Sequence, residues 1–522
     1  MRCFALTLLL PACLAFQLPF RVPFFTKNVT ADELDQPTVV KGSPRIAIIG
    51  AGAGGSSAAF WISKAKERFG VDVEVDVYER EDYIGGRSTV VYPYGNTSLP
   101  PLELGGSIFV AANKNLWRAS DEFNLTRREF DAGAQTGVWD GHKLVFSFGD
   151  GWWDTIKVIL RYGMLSPKNA DSLVSGVIKN FLTLYSSATP KWDNIADLAA
   201  TLGWSDLVSN TTADFFTQRG VSKKFTYEVI EAATRVNYGQ NVDAIQALEG
   251  ACSLATTGAR GIEGGNYQLF ERFLNHSGAN VHLNTKVVSV TEASSSSHHW
   301  AVKTSAGTVE YKAVILAAPF HSTGIEISPS LAAQIPKQQY VHLHVTLLAT
   351  TSPTPDPAYF GLPAGAKLPN MMLTTYEGAR AGGKEPEFNS LSYHGQVREG
   401  EWAVKIFSKD RISDEWLNKL FLGKVGWVLR KEWDAYPQLP PTTVFPPVKL
   451  DRGFYYVNAF EPLISTMETE TIASRNVVDL LLNEEFGSSI CGSRISPSDA
   501  DEAHTAGQTT SNDKDFVIGW DC

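Results

Sequence analysis

The sequence predicts an α/β chain in which a dinucleotide-binding βαβ unit is interleaved with a second unit of helices and a mixed sheet. Two stretches carry that expectation. RIAIIG, from Arg45 to Gly50, runs straight into the glycine-rich GAGAGG and the helix-forming SSAAFW, the pattern of a strand, a phosphate-binding turn and a helix. VDVEVDVYE then places Val71, Val73, Val75 and Val77 at period two and ends on Glu79, which supplies the next strand and an acidic group at its end. At 522 residues the chain is also too long for one ordinary core.

The composition is that of a folded chain, with 43% hydrophobic and 20% charged residues. A formal charge of -10, with no long Lys/Arg run, disfavours nucleic acid as a partner. Arg2, the apolar Phe4 to Leu10, Pro11 and the small-residue pattern Cys13, Leu14, Ala15 are laid out like a secretory signal peptide cleaved near Ala15. Sequons at Asn28, Asn96, Asn124, Asn210 and Asn275 agree with that compartment. After cleavage Cys252, Cys491 and Cys522 remain, too few for a disulfide framework, although Cys491 and Cys522 are able to close a C-terminal loop.

Along the chain the expected order is a signal peptide (1–15), an extended arm (16–43) and a first nucleotide-binding part (44–130). A helical part follows (131–245), read from WWDTIKVILRYGML and DSLVSGVIKNFLTLY. Strand patterns such as TKVVSV and KAVILAAP mark a second nucleotide-binding part (246–325), and KQQYVHLHVTLLATT opens a further stretch of the second unit (326–450), with 352–390 read as loops or short strands. A third nucleotide-binding part (451–487) and a Ser/Asp/Thr-rich, poorly ordered tail (488–522) complete the chain.

Gly50, Gly52 and Gly55, with Ala51 between the first two, form G-x-G-x-x-G. The first glycine permits the tight turn, the second lets a pyrophosphate reach the backbone, and the third lets helix meet strand. Glu79 suits the ribose hydroxyls of an unphosphorylated adenosine. NAD and FAD both satisfy this fingerprint. GGRS (Gly85 to Ser88) adds Arg87 beside a diphosphate, and LELGGSIF (Leu102 to Phe109) adds the carboxylate of Glu103 and the turn Gly105, Gly106, Ser107 farther along the same ligand. No Ser/His/Asp, paired-carboxylate or metal constellation stands out, so no metal is expected and no catalytic side chain is assigned. His321 and His394 are the imidazoles considered for activating water. Trp152, Trp153, Tyr162 and Phe181 are candidates to line an apolar cavity, and the same aromatics suit a soft contact with a membrane surface.

GAGAGGSSAA, YEREDYIGGRS and ELGGS, in this order, resemble the FAD-binding half of the amine oxidase-like (GR2-type) flavoproteins. Within that group NYGQNVDAIQALEGACSLA, IEGGNYQLFERFL and YYVNAFEPLISTMETETIASRNVVDLLL are similar to the prenylcysteine oxidase, or prenylcysteine lyase, family, over roughly residues 45 to 485. The resemblance implies a Rossmann-like FAD domain interleaved with the substrate unit. It implies Gly50, Ala51, Gly52, Gly55 and Arg87 at the diphosphate, Glu79 at the ribose and Val287 at the adenine. Gly105, Gly106, Ser107, Glu461 and Met467 would lie at the flavin end. It further implies an oxidoreductase that takes hydride from the allylic carbon of S-farnesyl- or S-geranylgeranyl-cysteine, releasing prenyl aldehyde, cysteine and hydrogen peroxide during prenylated-protein breakdown. Two alternatives stand beside it: a related FAD oxidase of another prenylated or lipophilic metabolite, and a flavin-lacking carrier of prenylated ligands. The leader directs either enzyme to the secretory pathway and on to a lysosome or vacuole, or out of the cell.

Overall fold

The computed structural model describes residues 42–129, 135–149, 151–294, 298–492 and 515–522. The expected signal peptide, nearly all of the arm and the Asn28 sequon lie outside them.

β1 (Arg45–Ile49), α1 (Ala53–Phe69) and β2 (Glu74–Tyr78) form the expected unit at the centre of a six-stranded sheet. β3 (Asn280–His282), β4 (Ala313–Leu316), β5 (Lys449–Asp451) and β6 (Phe454–Tyr456) come from far along the chain, and the spatial order is β5-β6-β4-β1-β2-β3. All neighbours are parallel except β5 with β6. β1 is apolar on both faces because both are covered, with Ile46, Ala47 and Ile48 fully buried. β1 aligns Ile46 with Val75 and Ile48 with Val77, so two period-two patterns share one register. α1 packs on the long C-terminal helix α2 (Met467–Phe486) so closely that Ser474 Oγ donates to Gly54 O at 2.6 Å. That approach needs the small residues of GAGGSSAA.

A second, seven-stranded sheet has the order 425–437, 340–350, 401–408, 390–398, 371–374, 136–139, 144–148. It is antiparallel throughout except where Met371–Thr374 runs parallel to Thr136–Trp139. Helices Trp152–Tyr162, Leu165–Leu182, Glu231–Tyr238 and Ala247–Leu254, with shorter ones between, complete this unit.

Two sequence expectations change. The stretch 131–245 is not helical from its start: Thr136–Trp139 and Leu144–Phe148 are a hairpin turned at Asp140-Gly141, where Gly141 has φ +98°. Asp-Gly between apolar runs is a hairpin signal that long neighbouring helices masked. Met371–Thr374, inside the stretch read as loops or short strands, is such a short strand, with partners on both sides. The last eight residues of the expected disordered tail are docked. Trp520 sits 4.9 Å from the Phe60 ring and 5.5 Å from Trp61, Arg475 donates to Ile518 O, and Cys491 is disulfide-bonded to Cys522. The crosslink shortens the loop that must close, and the indole supplies the apolar area that composition alone concealed.

Candidate cofactor and substrate site

At the turn after β1 the backbone does the binding work. Gly50 has φ +106° and donates its N–H to Tyr78 O at 2.8 Å. A Cβ on Gly55 would lie 1.8 Å from Gly50 O, so only glycine lets α1 start this close to the strand. A Cβ on Gly52 would meet nothing nearer than 3.9 Å, which leaves its outer side open for a ligand. Gly85 N–H donates to Ala51 O at 2.9 Å and straps the GGRS loop over the turn. Glu79 accepts Ala51 N–H at Oε2 (2.8 Å) and Glu81 N–H at Oε1 (2.9 Å), so its carboxylate is fixed and its remaining lone pairs face the ligand space. The first turn of α1 has no acidic residue, and the positive end of the helix is left for an anion.

This turn opens into a cavity of 1190 Å³, beyond the roughly 300–1,000 Å³ that holds one small ligand. Gly50, Gly52 and Glu79 line one end, Arg87, Gly105, Gly106 and Ser107 the middle, and Val174, Val177, Ile178, Phe181, Ala232 and Leu373 the far end. A wide five-residue π turn, Thr226–Ile230, precedes Glu231–Tyr238 and helps aim Val229 and Ala232 at the cavity. Asn458 Oδ1 and Glu470 Oε1 are buried without a protein partner, and both residues line the wall. Two orphaned polar atoms, an uncompensated helix N-terminus and a turn that excludes Cβ atoms fit a bound dinucleotide.

Charges in the middle are few and held. Arg87 pairs with Glu461 at 2.5 Å and donates to Ala435 O, while Tyr340 and Asn458 also donate to Glu461. Lys405 Nζ donates to Ser107 Oγ at 3.0 Å and to Glu103 O at 3.2 Å. Burial pushes the Lys405 ammonium below the usual lysine range, against the attraction of Glu103, and pushes the Glu103 carboxyl up. The His394 ring lies in the same wall, its Nε2 sealed from solvent and without a partner. Burial first, then the charges of Lys405 and Arg128, hold its pKa down at about 3.

Of the residues expected at a cofactor, Gly50, Gly52, Glu79, Arg87, Gly105, Gly106, Ser107, Val287, Glu461 and Met467 all border this one cavity. Ala51 and Gly55 do not; they hold the turn through Glu79 and through contact with Gly50. Arg87, expected at the diphosphate, is committed to Glu461. Met467 packs its sulfur where a Cβ on Gly106 would stand, at 2.9 Å. His321 faces away, its Nε2 3.1 Å from Ile335 O and Pro336 O. Among the four aromatics, Phe181 lines the cavity, Tyr162 is buried on Glu228, and Trp152 and Trp153 are 63% and 61% exposed. Lys405 and Glu249 escaped sequence reasoning: a single Lys or Glu in a strand or helix carries no local signal of burial. The described residues also hold one group with metal-ligand spacing, His342, His344 and Glu432, where no metal was expected.

Comparison with known proteins adds to this geometry. The family described as prenylcysteine lyase matches residues 148–489, and an NAD(P)-binding Rossmann-like domain matches residues 48–123. A farnesylcysteine lyase of Arabidopsis thaliana is 31% identical over 490 residues, covering 89% of this chain and 92% of its own. Prenylcysteine oxidase 1 of Homo sapiens is 29% identical, covering 83% and 87%. Among solved structures, cyclohexylamine oxidase from Brevibacterium oxydans superposes with a TM-score of 0.56 at 15% identity, covering 85% of this chain and 99% of that one, which establishes a shared fold.

Proposed function

The chain belongs to the prenylcysteine lyase family, and on that premise we propose that it is an FAD-dependent thioether oxidase. Its substrate is S-prenyl-L-cysteine, cleaved to prenyl aldehyde and cysteine, with oxygen as final electron acceptor and hydrogen peroxide as co-product. The observation that carries the reading is the single cavity that joins a dinucleotide turn to an apolar far end.

Gly50, Gly52, Glu79, the Gly105 to Ser107 turn and the α2 N-terminus would hold FAD. Bound there, FAD supplies the two-electron acceptor for hydride from the carbon next to sulfur. The chain's own share is to place the prenyl tail among Val174, Val177, Ile178, Phe181, Ala232 and Leu373 and to keep bulk water away from that carbon. Water must then add to the oxidised carbon, and the thiol must leave with a proton. Lys405 Nζ, fixed on Ser107 and with its affinity for a proton lowered, is the group on this wall suited to hold and return one. His394, whose pKa burial holds down at about 3, is too weak a base for that step.

Anaerobic addition of farnesylcysteine to the purified flavoprotein is expected to bleach its visible bands, and air to restore them. Bands that ignore both farnesyl- and geranylgeranyl-cysteine would sink the substrate assignment.

A lipid substrate also needs a way in. Trp152, Trp153, Leu160, Met164 and Leu165 form an exposed apolar face, with Lys157 and Lys168 beside it. The helix that begins at Leu165 carries Val174, Val177 and Phe181 into the cavity wall. We propose that this face rests on an anionic membrane surface. The leader, with the exposed sequons Asn96, Asn124 and Asn275, supports a glycosylated protein of the secretory pathway that ends in a lysosome or vacuole, or outside the cell. A glycosidase-sensitive mobility and organelle fractionation check it.

A further inference from the structure

Strands Tyr340–Thr350 and Val425–Pro437 pair antiparallel, with His342 opposite Asp434 and His344 opposite Glu432. Residues two apart on a strand share a face, and directly opposite residues have Cβ atoms about 4.5–5.5 Å apart. Two imidazoles and two carboxylates therefore meet on one patch. The ligand atoms of His342, His344 and Glu432 all lie within 4.8 Å of one another. His342 Nδ1 is 3.2 Å from Asp434 Oδ1 and His344 Nδ1 is 3.6 Å from Glu432 Oε2.

We propose that His342, His344, Glu432 and Asp434 form a binding site for a zinc-class divalent cation on the rim of the cavity. Tetrahedral zinc, with bonds of about 2.0–2.2 Å to nitrogen and oxygen, needs donors roughly 3.3–3.6 Å apart. The two cross-strand distances lie at or near that span. His344 is the fixed member at 17% exposure, whereas His342, Glu432 and Asp434 are 56%, 65% and 50% exposed and can turn the remaining distance. Two imidazoles select zinc, copper or nickel over magnesium and calcium, which take oxygen. A pair of ordinary ion pairs explains the patch less well. It would set two like charges on rings with centroids 5.5 Å apart, and exposed ion pairs contribute little. One cation between the rings removes the repulsion and satisfies both carboxylates. Val425–Pro437 is the sheet's edge strand, and its residues Lys431 to Tyr436 border the cavity. The cation would fasten this strand, and with it the rim, to the sheet.

The test uses full-length flavoprotein without a polyhistidine tag, freed of metal by a chelator and titrated with zinc chloride in a calorimeter. One ion per chain is expected, bound at least about 100-fold more weakly by His344→Ala and about 10-fold more weakly by Asp434→Asn. At zinc about 100 times its Kd, the unfolding constant of the wild type should fall about 100-fold. The double variant His342→Ala/His344→Ala should show no such shift. Its flavin spectrum shows beforehand that it is folded. No zinc uptake by the wild type, or equal uptake by the double variant, overturns the site. Either result is independent of whether prenylcysteine is the substrate.

Discussion

The two ends of the cavity are built in opposite ways. The nucleotide end is backbone: amides of Ala51 and Glu81 fix Glu79, Gly85 straps the turn, and glycines at 50, 52 and 55 remove side chains where the chain must come close. The rest of the wall is side chain: an apolar lining at the far end contributed by several helices and strands, with buried ionisable groups such as Lys405, Glu103 and Glu249 nearer the middle. A backbone site tolerates no added atom, whereas a side-chain site tolerates volume changes but depends on each charge having its neighbours. Substitutions at the two ends should therefore fail differently.

The largest effect is expected at the nucleotide end. In Gly55→Ala the new methyl would stand 1.8 Å from Gly50 O, and α1 must move. A stability loss of about 3 kcal/mol or more, with loss of bound flavin, is expected by thermal melting and visible absorbance. A folded variant that keeps its flavin would break the contrast between the ends.

Lys405→Met tests the side-chain part of the wall, since it keeps length and apolar bulk while removing the ammonium. Flavin content should stay near wild type while kcat falls about 10²–10⁴-fold. Lys405→Arg should not rescue it, because a guanidinium does not give up its proton. Equal kcat in wild type and Lys405→Met would remove this residue from proton handling.

That contrast also explains what the sequence disclosed. The glycine turn and Glu79 were legible because a strand, a turn and an acidic strand end fall in one short stretch, and their roles depend on backbone shape. β3 and β4 were legible as strands and β6 was not, and the places of all three beside β1 and β2 come from long-range pairing. The Lys405 cluster draws on Glu103, Ser107, His394 and Asn266, which are far apart in sequence and meet only through long-range packing. The same holds for His342 and Asp434, which share a patch through an antiparallel register. Trp152 and Trp153 suit, by sequence, either a cavity lining or a membrane contact, and their exposure removes the first of these.

A smaller effect is expected from Glu249, which sharpens the side-chain half of the contrast. Its Oε2 has no partner, and burial raises its pKa to about 8. An unfolded Glu titrates near 4.3, so the folded state holds a proton that the unfolded state releases as pH rises. Stability from this group is complete below about pH 4 and is lost progressively as pH climbs to about 8, at up to about 1.4 kcal/mol per pH unit. Between pH 5 and pH 8 denaturant melts should show a loss on the order of 3 kcal/mol that Glu249→Gln largely abolishes. An unchanged slope in Glu249→Gln would mean that the carboxyl is ionised in the folded protein.

The smallest effect concerns the outside of the same unit. Trp152 and Trp153 touch each other, with ring centroids 3.7 Å apart, and cover little of the core. Replacing both by Ser should leave the melting temperature and the turnover of a detergent-dispersed substrate unchanged. Each indole moved into a bilayer interface contributes on the order of 1 kcal/mol or more, so partition onto anionic vesicles should fall roughly 10–100-fold. Turnover of farnesylcysteine embedded in those vesicles should fall with it. If partition is unaffected, the exposed indoles are not how this chain meets its lipid, and the cavity must fill directly from water.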